Sequence, residues 1–573
     1  MLTWLKKHFS FSKLPNILIV LVLTWYILSN LIIPNLNVIY TTFVSDEGTL
    51  TLTAVNKLLS SPRAMRSMRN SIVLALSLAV TVNIVGIFIV LATEYFEIKG
   101  SKILRLGFMT TLIYGGVILV SGYKFIYGPD GYVNKILLSI FPNMNVDWFT
   151  GYWAVLYVMT FAITSNHMMF LTNAIRTIDF QTVEAAKNMG ASLWTILRRV
   201  VLPVLLPTIL AVTILVMVIG LNATSAPLIV GGTGFQTISP MILSFSRMPT
   251  ARDLAALLSL FLGLVTVILL TVMMQIEKKG NYISVSKVKT KIVKQKINNK
   301  VVNTIIHFFS YMLFLIYVLP VVLIILFSFT DARSIATRTL TIESFTLENY
   351  INLFTTARSY RPILVSAVYS VLASIGVVII VLIAVRIIHK YKNIWSSIME
   401  YALLIPWMLP STMIAIGFVI TYDSPKWYMF NKVLSGTMII LFLAYVVIKI
   451  PFTLRMTKAA FFSIDFALED AAKNLGASGF YTFMRILLPI ILPSILAVLA
   501  LNINSLLTNF DLSIFLYHPI YQPLGVYIRS LTDMQDADNI VLTFVYAVIV
   551  MILSALTLFF VNRPKGEKIM REF

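Results

Sequence analysis

Residues 184–207 read EAAKNMGASLWTILRRVVLPVLLP, and residues 470–493 read DAAKNLGASGFYTFMRILLPIILP. The two segments lie 286 residues apart and share an Ala-Ala-Lys-Asn core, a Gly-Ala-Ser triplet and two prolines. Apolar sequence flanks both copies, and most of that flanking sequence differs between them. The repeated polar pattern therefore predicts an internal duplication in which one specific contact is made twice.

The composition is typical of a membrane protein. The 573 residues are 58 % hydrophobic and 12 % charged, with a mean hydropathy of +0.88, and apolar stretches of about 20 residues suit a bilayer. The absence of cysteine excludes disulfides and thiolate metal sites. The formal charge of +21 does not indicate nucleic-acid binding, because basic residues of membrane proteins collect in loops near anionic lipid.

Twelve apolar segments are long enough to span a bilayer, and we predict helices because backbone groups must pair with each other in lipid. They are 14–33, 71–92, 103–122, 152–173, 207–229, 254–275, 304–328, 364–388, 397–421, 436–452, 489–514 and 540–561. The predicted fold class is an all-α polytopic membrane protein. It has about 12 transmembrane helices in two parallel, pseudo-symmetric six-helix halves.

The sequence divides into a first half (1–280), a basic linker (281–303) and a second half (304–573). The stretch from Glu277 to Lys300 alone holds eight lysines, which predicts that it and both chain termini lie in the cytoplasm. Because the halves then share one orientation, their symmetry axis should run along the membrane normal.

The offset between the halves is not constant. Near the second span it is 295, and it falls to 286 at the repeated segments. The matching residues are Leu58, Arg63, Arg66 and Ser71 with Leu353, Arg358, Arg361 and Ser366. The first half should therefore carry nine extra residues, which we expect in the loop around 123–151.

Each repeated segment predicts a helix–turn–helix. A helix through 180–189 should end at Gly190, which can adopt the positive φ of a helix C-cap. A second helix should begin near Ser192, a favourable N-cap, and Pro203 and Pro207 then start the next span. A single copy could be an amphipathic loop at the lipid interface. Two nearly identical copies favour docking of a soluble protein.

The motif resembles a known family. The pattern Glu-Ala-Ala, a glycine four residues after the second alanine, and a later hydrophobic-Pro pair resembles the EAA loop of binding-protein-dependent ABC importer permeases. The fusion of two such units is similar to ferric-iron, thiamine and 2-aminoethylphosphonate permeases. We refer to residues 176–207 as the first EAA loop and to residues 455–493 as the second.

The resemblance implies a type I ABC importer fold. It also implies ATPase-coupling roles for residues of both loops, namely Glu184, Ala185, Ala186, Gly190, Glu469, Asp470, Ala471, Ala472 and Gly476. Asp470 replaces the motif glutamate and Glu469 precedes it, which leaves open whether the two loops couple equally. The implied partners are two copies of an ATP-binding cassette ATPase and an extracytoplasmic substrate-binding protein. The implied location is a bacterial plasma membrane.

No enzymatic motif is visible in the chain itself. It contains no G-x-x-x-x-G-K-[ST] phosphate loop, so ATP and Mg should bind to the separate ATPase, and we predict no cofactor here. The five histidines are scattered, and each is better explained by packing than by metal binding. We therefore predict neither a catalytic residue nor a metal site.

Polar residues in the spans after the EAA loops are candidates for a translocation route, because they are costly in lipid. They are Asn222, Thr224, Ser225, Asn504, Ser505, Thr508, Asn509 and Asp511. The neutral residues could instead form hydrogen bonds between helices. Asp511 would suit a cationic substrate or a structural pairing with Lys449.

Several functions remain open at this stage. Ferric iron is the favoured substrate, with 2-aminoethylphosphonate, thiamine or a polyamine-like cation as alternatives. A secondary transporter would leave both EAA segments unexplained, and a membrane-embedded enzyme or scaffold would need a catalytic cluster that is not visible.

Overall fold

A computed structural model of the chain describes residues 14–561. It excludes residues 280–292 and short gaps at 46, 113–114, 130, 177, 179, 338–339, 391–392, 463, 465–466 and 535. The described residues form α-helices, short 3-10 and π turns and four isolated β-bridges, without a β-strand. The predicted all-α fold class is confirmed.

Fifteen helices belong to the predicted first half. They are α1 (Leu14–Ile27), α2 (Ile33–Phe43), α3 (Thr53–Leu59), α4 (Pro62–Val90), α5 (Ser101–Phe108), α6 (Gly116–Tyr127), α7 (Tyr132–Ile140), α8 (Gly151–Ile163), α9 (Ser165–Ile175), α10 (Phe180–Asn188), α11 (Leu193–Ile196), α12 (Leu202–Leu221), α13 (Ser225–Val230), α14 (Ile238–Ser246) and α15 (Arg252–Lys279). Single π turns continue α1 into α2, extend α4 to Tyr95 and continue α11 into α12.

Thirteen helices belong to the predicted second half. They are α16 (Lys300–Ser328), α17 (Ala332–Thr337), α18 (Glu348–Thr355), α19 (Ala357–Lys390), α20 (Ile394–Met408), α21 (Ser411–Tyr422), α22 (Met438–Phe462), α23 (Ala467–Asn474), α24 (Gly479–Thr482), α25 (Leu488–Leu507), α26 (Ser513–Leu516), α27 (Leu524–Met534) and α28 (Ala537–Val561). A π turn joins α24 to α25, as in the first half.

Two of the predicted spans, 103–122 and 397–421, are bent pairs rather than continuous helices. The helical run 101–112 meets α6 at 111°, and α20 meets α21 at 107°. Pro410 has no N–H to continue α20, and Gly116 begins α6 with a φ of +59°. Ten other helical runs among the described residues are long and apolar enough to cross a membrane, which gives twelve spans if each bent pair counts once.

The helix bounds reproduce the duplication. The run Pro62–Tyr95 corresponds to α19, and α6 corresponds to α21, both at an offset of 295. Between α6 and α8 the first half has an additional helix, α7, where the second half has a single 3-10 turn at Trp427–Met429. The extra residues therefore lie within the predicted range 123–151.

The first helices of the two halves cross over. The indole Nε1 of Trp25 in α1 donates to the Tyr428 carbonyl oxygen at 2.9 Å, and the Asn37 side chain in α2 donates to Thr421 at 3.0 Å. In return, Tyr317 of α16 packs edge-on against Phe108 of α5, with ring centroids 5.3 Å apart. The boundaries of the sequence halves stay a prediction, but in space each half holds the other's first helix.

The described end of the predicted linker is fixed to the first half. The Gln295 amide donates to the Tyr95 carbonyl at 2.8 Å, and the Glu97 amide donates to the Gln295 carbonyl at 3.0 Å. The Lys294 ammonium donates to the Thr93 carbonyl at 2.6 Å and to the Ser101 hydroxyl at 2.7 Å. Residues 281–292 of the linker lie outside the described residues.

The crossing of α2 and α21 depends on close approach at Gly417. A Cβ atom there would lie 2.8 Å from the carbonyl oxygen of Pro34, so a side chain must push backbone aside. We expect Gly417→Ala to destabilise the protein by about 1–3 kcal/mol through overpacking. Thermal unfolding of the purified protein in detergent measures this effect.

Gly376→Ala in α19 is the matched control. A Cβ atom at Gly376 meets its nearest neighbour, Phe442, at 3.4 Å, which is an ordinary contact, and alanine favours a helix. Equal unfolding temperatures for the two variants would contradict the proposed dependence on α2–α21 contact.

Candidate functional site

The first EAA loop contains the predicted helix–turn–helix. Helix α10 ends at Asn188, and the turn that follows it contains Gly190, whose φ is +81°. The Gly190 amide donates to the Lys187 carbonyl at 2.9 Å, and the Ala191 amide donates to the Ala186 carbonyl at 3.0 Å. These two bonds pair the last carbonyl groups of the helix. The Ser192 hydroxyl then accepts from the Thr195 amide at 3.2 Å and begins α11.

The second EAA loop repeats this turn. Gly476 also has a φ of +81°, and its amide donates to the Lys473 carbonyl at 2.9 Å. The Ala477 amide donates to the Ala472 carbonyl at 3.0 Å, and Ser478 caps the next helix by accepting from the Tyr481 amide at 3.3 Å. Two segments with different flanking side chains therefore keep one backbone geometry.

Both loops present an apolar surface next to the turn that they share. Met189 and Leu475, the residues before each glycine, are 82 % and 89 % exposed. Trp194 and Phe480, the second residues of α11 and α24, are also exposed. A cavity of about 430 Å³ lies between Leu475 and Tyr481 in the second loop. Exposed large apolar side chains in such a cluster are typical of a protein–protein contact.

The nine predicted coupling residues face two directions. Three of them pack inward: Ala186 and Ala472 are buried, and the Glu469 carboxylate is only 14 % exposed. The other six are exposed: Glu184, Ala185, Gly190, Asp470, Ala471 and Gly476. In each loop the exposed residues lie in the helix before the turn or at its glycine.

Glu469 is held by an arginine that the sequence analysis missed. The Arg386 guanidinium in α19 donates to both carboxylate oxygens, at 2.9 and 2.8 Å. This contact lowers the pKa of Glu469 to about 2, although partial burial acts in the opposite direction. Because the folded pKa lies below the unfolded value, the stabilisation is complete above about pH 4.5 and is lost as the pH falls towards 2.

Four of the predicted route residues line one central cavity of about 530 Å³. They are Asn222, Thr224, Ser225 and Asp511, contributed by both halves. Thr266 and Leu270, from the middle of α15, lie on the same wall, which places the cavity inside the helical bundle. Among the described residues that line this cavity, Asp511 alone carries a formal charge.

The cavity lies where two predicted spans are interrupted. Helix α12 ends at Leu221 and α13 begins at Ser225, so the predicted span 207–229 is not continuous. The carbonyl groups left unpaired are used by hydroxyls: Ser239 donates to the Asn222 carbonyl at 3.2 Å, and Thr237 donates to the Ala223 carbonyl at 3.1 Å. Non-helical backbone at membrane depth is tolerated where it is buried in protein or lines a cavity.

The second interruption, between α25 and α26, ends the predicted span 489–514 early and places Asp511 beside Thr224. Its Oδ1 atom is buried without a hydrogen-bond partner among the described residues. The alternative pairing with Lys449 is not formed, since the Lys449 ammonium donates to the Ser505 hydroxyl at 2.5 Å instead. Asp511 therefore faces the cavity with unused hydrogen-bonding capacity.

The other predicted route residues are not brought to this cavity. The Asn504 side chain accepts from Ser554 of α28 at 2.6 Å, and the Asn509 side chain accepts from the Leu512 amide at 3.3 Å. Ser505 binds Lys449, and the Thr508 carbonyl packs near Gly525. The contacts of Asn504 and Ser505 fit the alternative in which neutral polar groups join helices, whereas that of Asn509 is local.

Sequence reasoning missed three polar residues of the cavity wall. Asn166, Thr266 and Ser411 come from α9, α15 and the start of α21, and the Asn222 side chain donates to the Thr266 hydroxyl at 3.3 Å. Their position inside predicted spans was the available signal. Among the described residues, no three His, Asp or Glu side chains lie close enough together to hold a metal ion.

The sequence pattern of a known family matches the chain twice. The family is described as binding-protein-dependent transport system inner membrane component, and it matches residues 132–278 and 376–563. The chain belongs to this family. It is a fused double-domain permease of a binding-protein-dependent ABC importer, and its spans make it a multi-pass inner-membrane protein.

Similar curated proteins are permeases as well. A probable ABC transporter permease protein of Sinorhizobium fredii is 35 % identical and covers 95 % of both chains. A ferric transport system permease protein of Actinobacillus pleuropneumoniae is 21 % identical over 91 % of this chain and 74 % of its own. A putative 2-aminoethylphosphonate transport system permease protein of Salmonella paratyphi A is 26 % identical over 36 % of this chain and 77 % of its own.

The paired turns depend on the backbone conformation at Gly190 and Gly476. No atom lies within 4 Å of a Cβ built at either glycine, so a substitution acts through the positive φ alone. We expect Gly476→Val to cost at least about 1–2 kcal/mol and to open the turn. Hydrogen exchange of the amides in residues 467–478 should accelerate, while exchange in the first EAA loop stays unchanged.

Gly479→Leu is the matched control in the same loop. Gly479 begins α24 without a positive φ, has no atom within 4 Å of a built Cβ, and corresponds to Leu193 in the first loop. Equally fast exchange in both variants would mean that the turn does not depend on the left-handed glycine.

Proposed function

We propose that this permease conducts a cation, with ferric iron as the first candidate, and that a separate ABC ATPase docks on its two EAA loops. The observation that carries the substrate class is the central cavity with the Asp511 carboxylate as the one formal charge among its described lining residues. A carboxylate favours a cation over an anionic substrate. Ordinary hydroxyl and amide groups on the remaining wall would replace part of the hydration of the cation.

The relatives include both candidates, at 21 % and 26 % identity, and the charge on the cavity wall is what orders them. The ferric permease of Actinobacillus pleuropneumoniae aligns across both halves, whereas the 2-aminoethylphosphonate permease aligns with about a third of the chain. A phosphonate would place negative charge beside Asp511 without a lysine or arginine on the described wall. Thiamine and polyamine-like cations satisfy the charge and stay alternatives.

The helices supply a physical link between docking and transport. Each EAA loop continues through a π turn into a 20-residue helix, α12 or α25. Such a helix is about 30 Å long. Its far end is the interruption that contributes to the cavity. A displacement of the loop along this axis would therefore reach Asn222 in one half and the segment before Asp511 in the other.

The proposed assembly contains two ATPase copies, with ATP and Mg on those chains, and an extracytoplasmic binding protein that delivers the substrate. The N- and C-termini and the EAA loops lie in the cytoplasm, as the lysine-rich linker indicates. Closure of the ATPases would move both loops together, and the cavity would then open alternately to each side. A secondary transporter is the weaker alternative, since the family is binding-protein-dependent.

Reconstitution tests the function directly. The permease is purified with its co-expressed ATPase and reconstituted with its binding protein, and ATP hydrolysis is measured with and without ferric iron. We expect stimulation only when binding protein and ferric iron are both present. Stimulation only with another ligand would support the importer function but contradict iron as the substrate. Failure of the ATPase to co-purify would contradict the proposed docking. The Gly476→Val permease should co-purify with less ATPase protein than the Gly479→Leu permease does.

Asp511→Asn tests the cavity. The substitution removes the charge with almost no change in size, so we expect ferric-iron uptake into proteoliposomes to fall severalfold while expression and unfolding temperature stay normal. Ser225→Ala, at the same wall, is the comparison and should lower uptake less than Asp511→Asn, because it removes one hydroxyl and no charge. Full uptake by Asp511→Asn would return Asp511 to a structural role.

A further inference from the structure

The two EAA loops are anchored to the helical bundle by different chemistry. In the second half, Arg386 near the end of α19 binds Glu469 in the first helix of the loop. The duplication offsets of 295 and 286 place Leu91 and Val183 at the corresponding positions. Both are buried in one large apolar cluster, to which residues of both halves contribute. An ion pair in the second half thus stands where the first half has two buried apolar side chains.

The two kinds of anchor constrain a loop differently. A guanidinium that donates to both oxygens of a carboxylate fixes distance and orientation at once. Apolar packing fixes burial but tolerates sliding, because it has little directional preference. The side chains of Arg386 and Glu469 are 19 % and 14 % exposed, so solvent screens the pair only partly.

The exposed face of the second loop is also built differently. Asp470, at the position of Glu184, is one methylene shorter, and its carboxylate is shared with Lys473 at 3.3 Å. Lys473 also approaches Glu469 at 3.5 Å, so the anchor and the exposed carboxylate are connected by one lysine. Asp470 is therefore connected to the Arg386–Glu469 pair through Lys473.

We propose that Arg386 is a positioning residue for the second EAA loop, which it holds in a fixed orientation through Glu469, and that the two loops consequently couple unequally to the ATPase. The inference rests on the proposed docking of an ATPase at these loops. Glu469 lies beneath the exposed face of the second EAA loop and positions it, and Glu469 is not itself a docking contact. Arg386 makes the second loop the stiffer of the two connections.

Three variants separate positioning from simple burial. Arg386→Leu leaves a partly buried carboxylate without its partner, and we expect the amides of 467–474 to exchange about tenfold faster in the permease alone. Arg386→Lys keeps the charge but loses the two-pronged contact, so exchange should be intermediate. Arg386→Leu combined with Glu469→Val copies the first half, and exchange should return towards the wild-type rate.

Coupling is then measured as substrate transported per ATP hydrolysed in the reconstituted complex. We expect Arg386→Leu to lower this ratio severalfold and the double variant to regain folding and loop protection without regaining the full ratio, because the apolar anchor lacks orientation. Leu91→Ala, the control at the corresponding first-half position, should alter exchange only in the first loop.

The outcomes are distinguishable from failure of the proposed function. If the wild-type permease does not co-purify with the ATPase, the proposed docking is wrong. Hydrogen exchange of the permease alone still tests whether Arg386 positions the second EAA loop. Unchanged exchange in Arg386→Leu overturns the positioning role. A double variant with a wild-type coupling ratio overturns the unequal coupling, since an apolar anchor would then serve both loops equally.

Discussion

Interruption of helices within the bundle is the constraint on which the permease depends. Hydrocarbon supplies no hydrogen bonds, so unwound backbone must be paired with protein groups or must line a cavity. At the first interruption the hydroxyls of Thr237 and Ser239 donate to the free carbonyl groups of Ala223 and Asn222. At the second, the Asn509 side chain accepts from the free amide of Leu512. The same two segments bring Thr224 and Asp511 together. The local cost of unwinding is thus linked to the formation of a polar space between the halves.

Duplication has preserved backbone geometry more strictly than side-chain chemistry. Both EAA loops have a glycine at φ +81° and the same pair of amide–carbonyl bonds, and both continue through a π turn into a 20-residue helix. Their anchors nevertheless differ, with Val183 in one loop and Glu469 in the other. A turn whose hydrogen bonds are internal can tolerate this divergence, because its shape does not depend on the residue beneath it.

The sequence was sufficient wherever the determining chemistry is local. Gly190 and Ser192 specify a turn and a cap through their own backbone and hydroxyl, and apolar length specifies the spans. It was insufficient where distant segments meet. A hydropathy window does not detect the bend at Pro410, Thr266 joins the cavity from another helix, and Glu469 turns inward only because Arg386 lies beside it. Thr266 lies 44 residues from Asn222, and Arg386 lies 83 residues from Glu469, and composition does not encode packing across such separations.

The crossing of α1 and α2 onto the second half, and of α16 onto the first, has a consequence for how the two units came to share one chain. Because the first helices of each half pack against the other half, the interface between the halves would persist if they were two separate polypeptides, as in a domain-swapped dimer. Fusion therefore adds little to the contact itself. What it fixes is stoichiometry and pairing, because two unlike units are made in equal number and are joined to each other from the start. This allows their anchors and cavity walls to diverge.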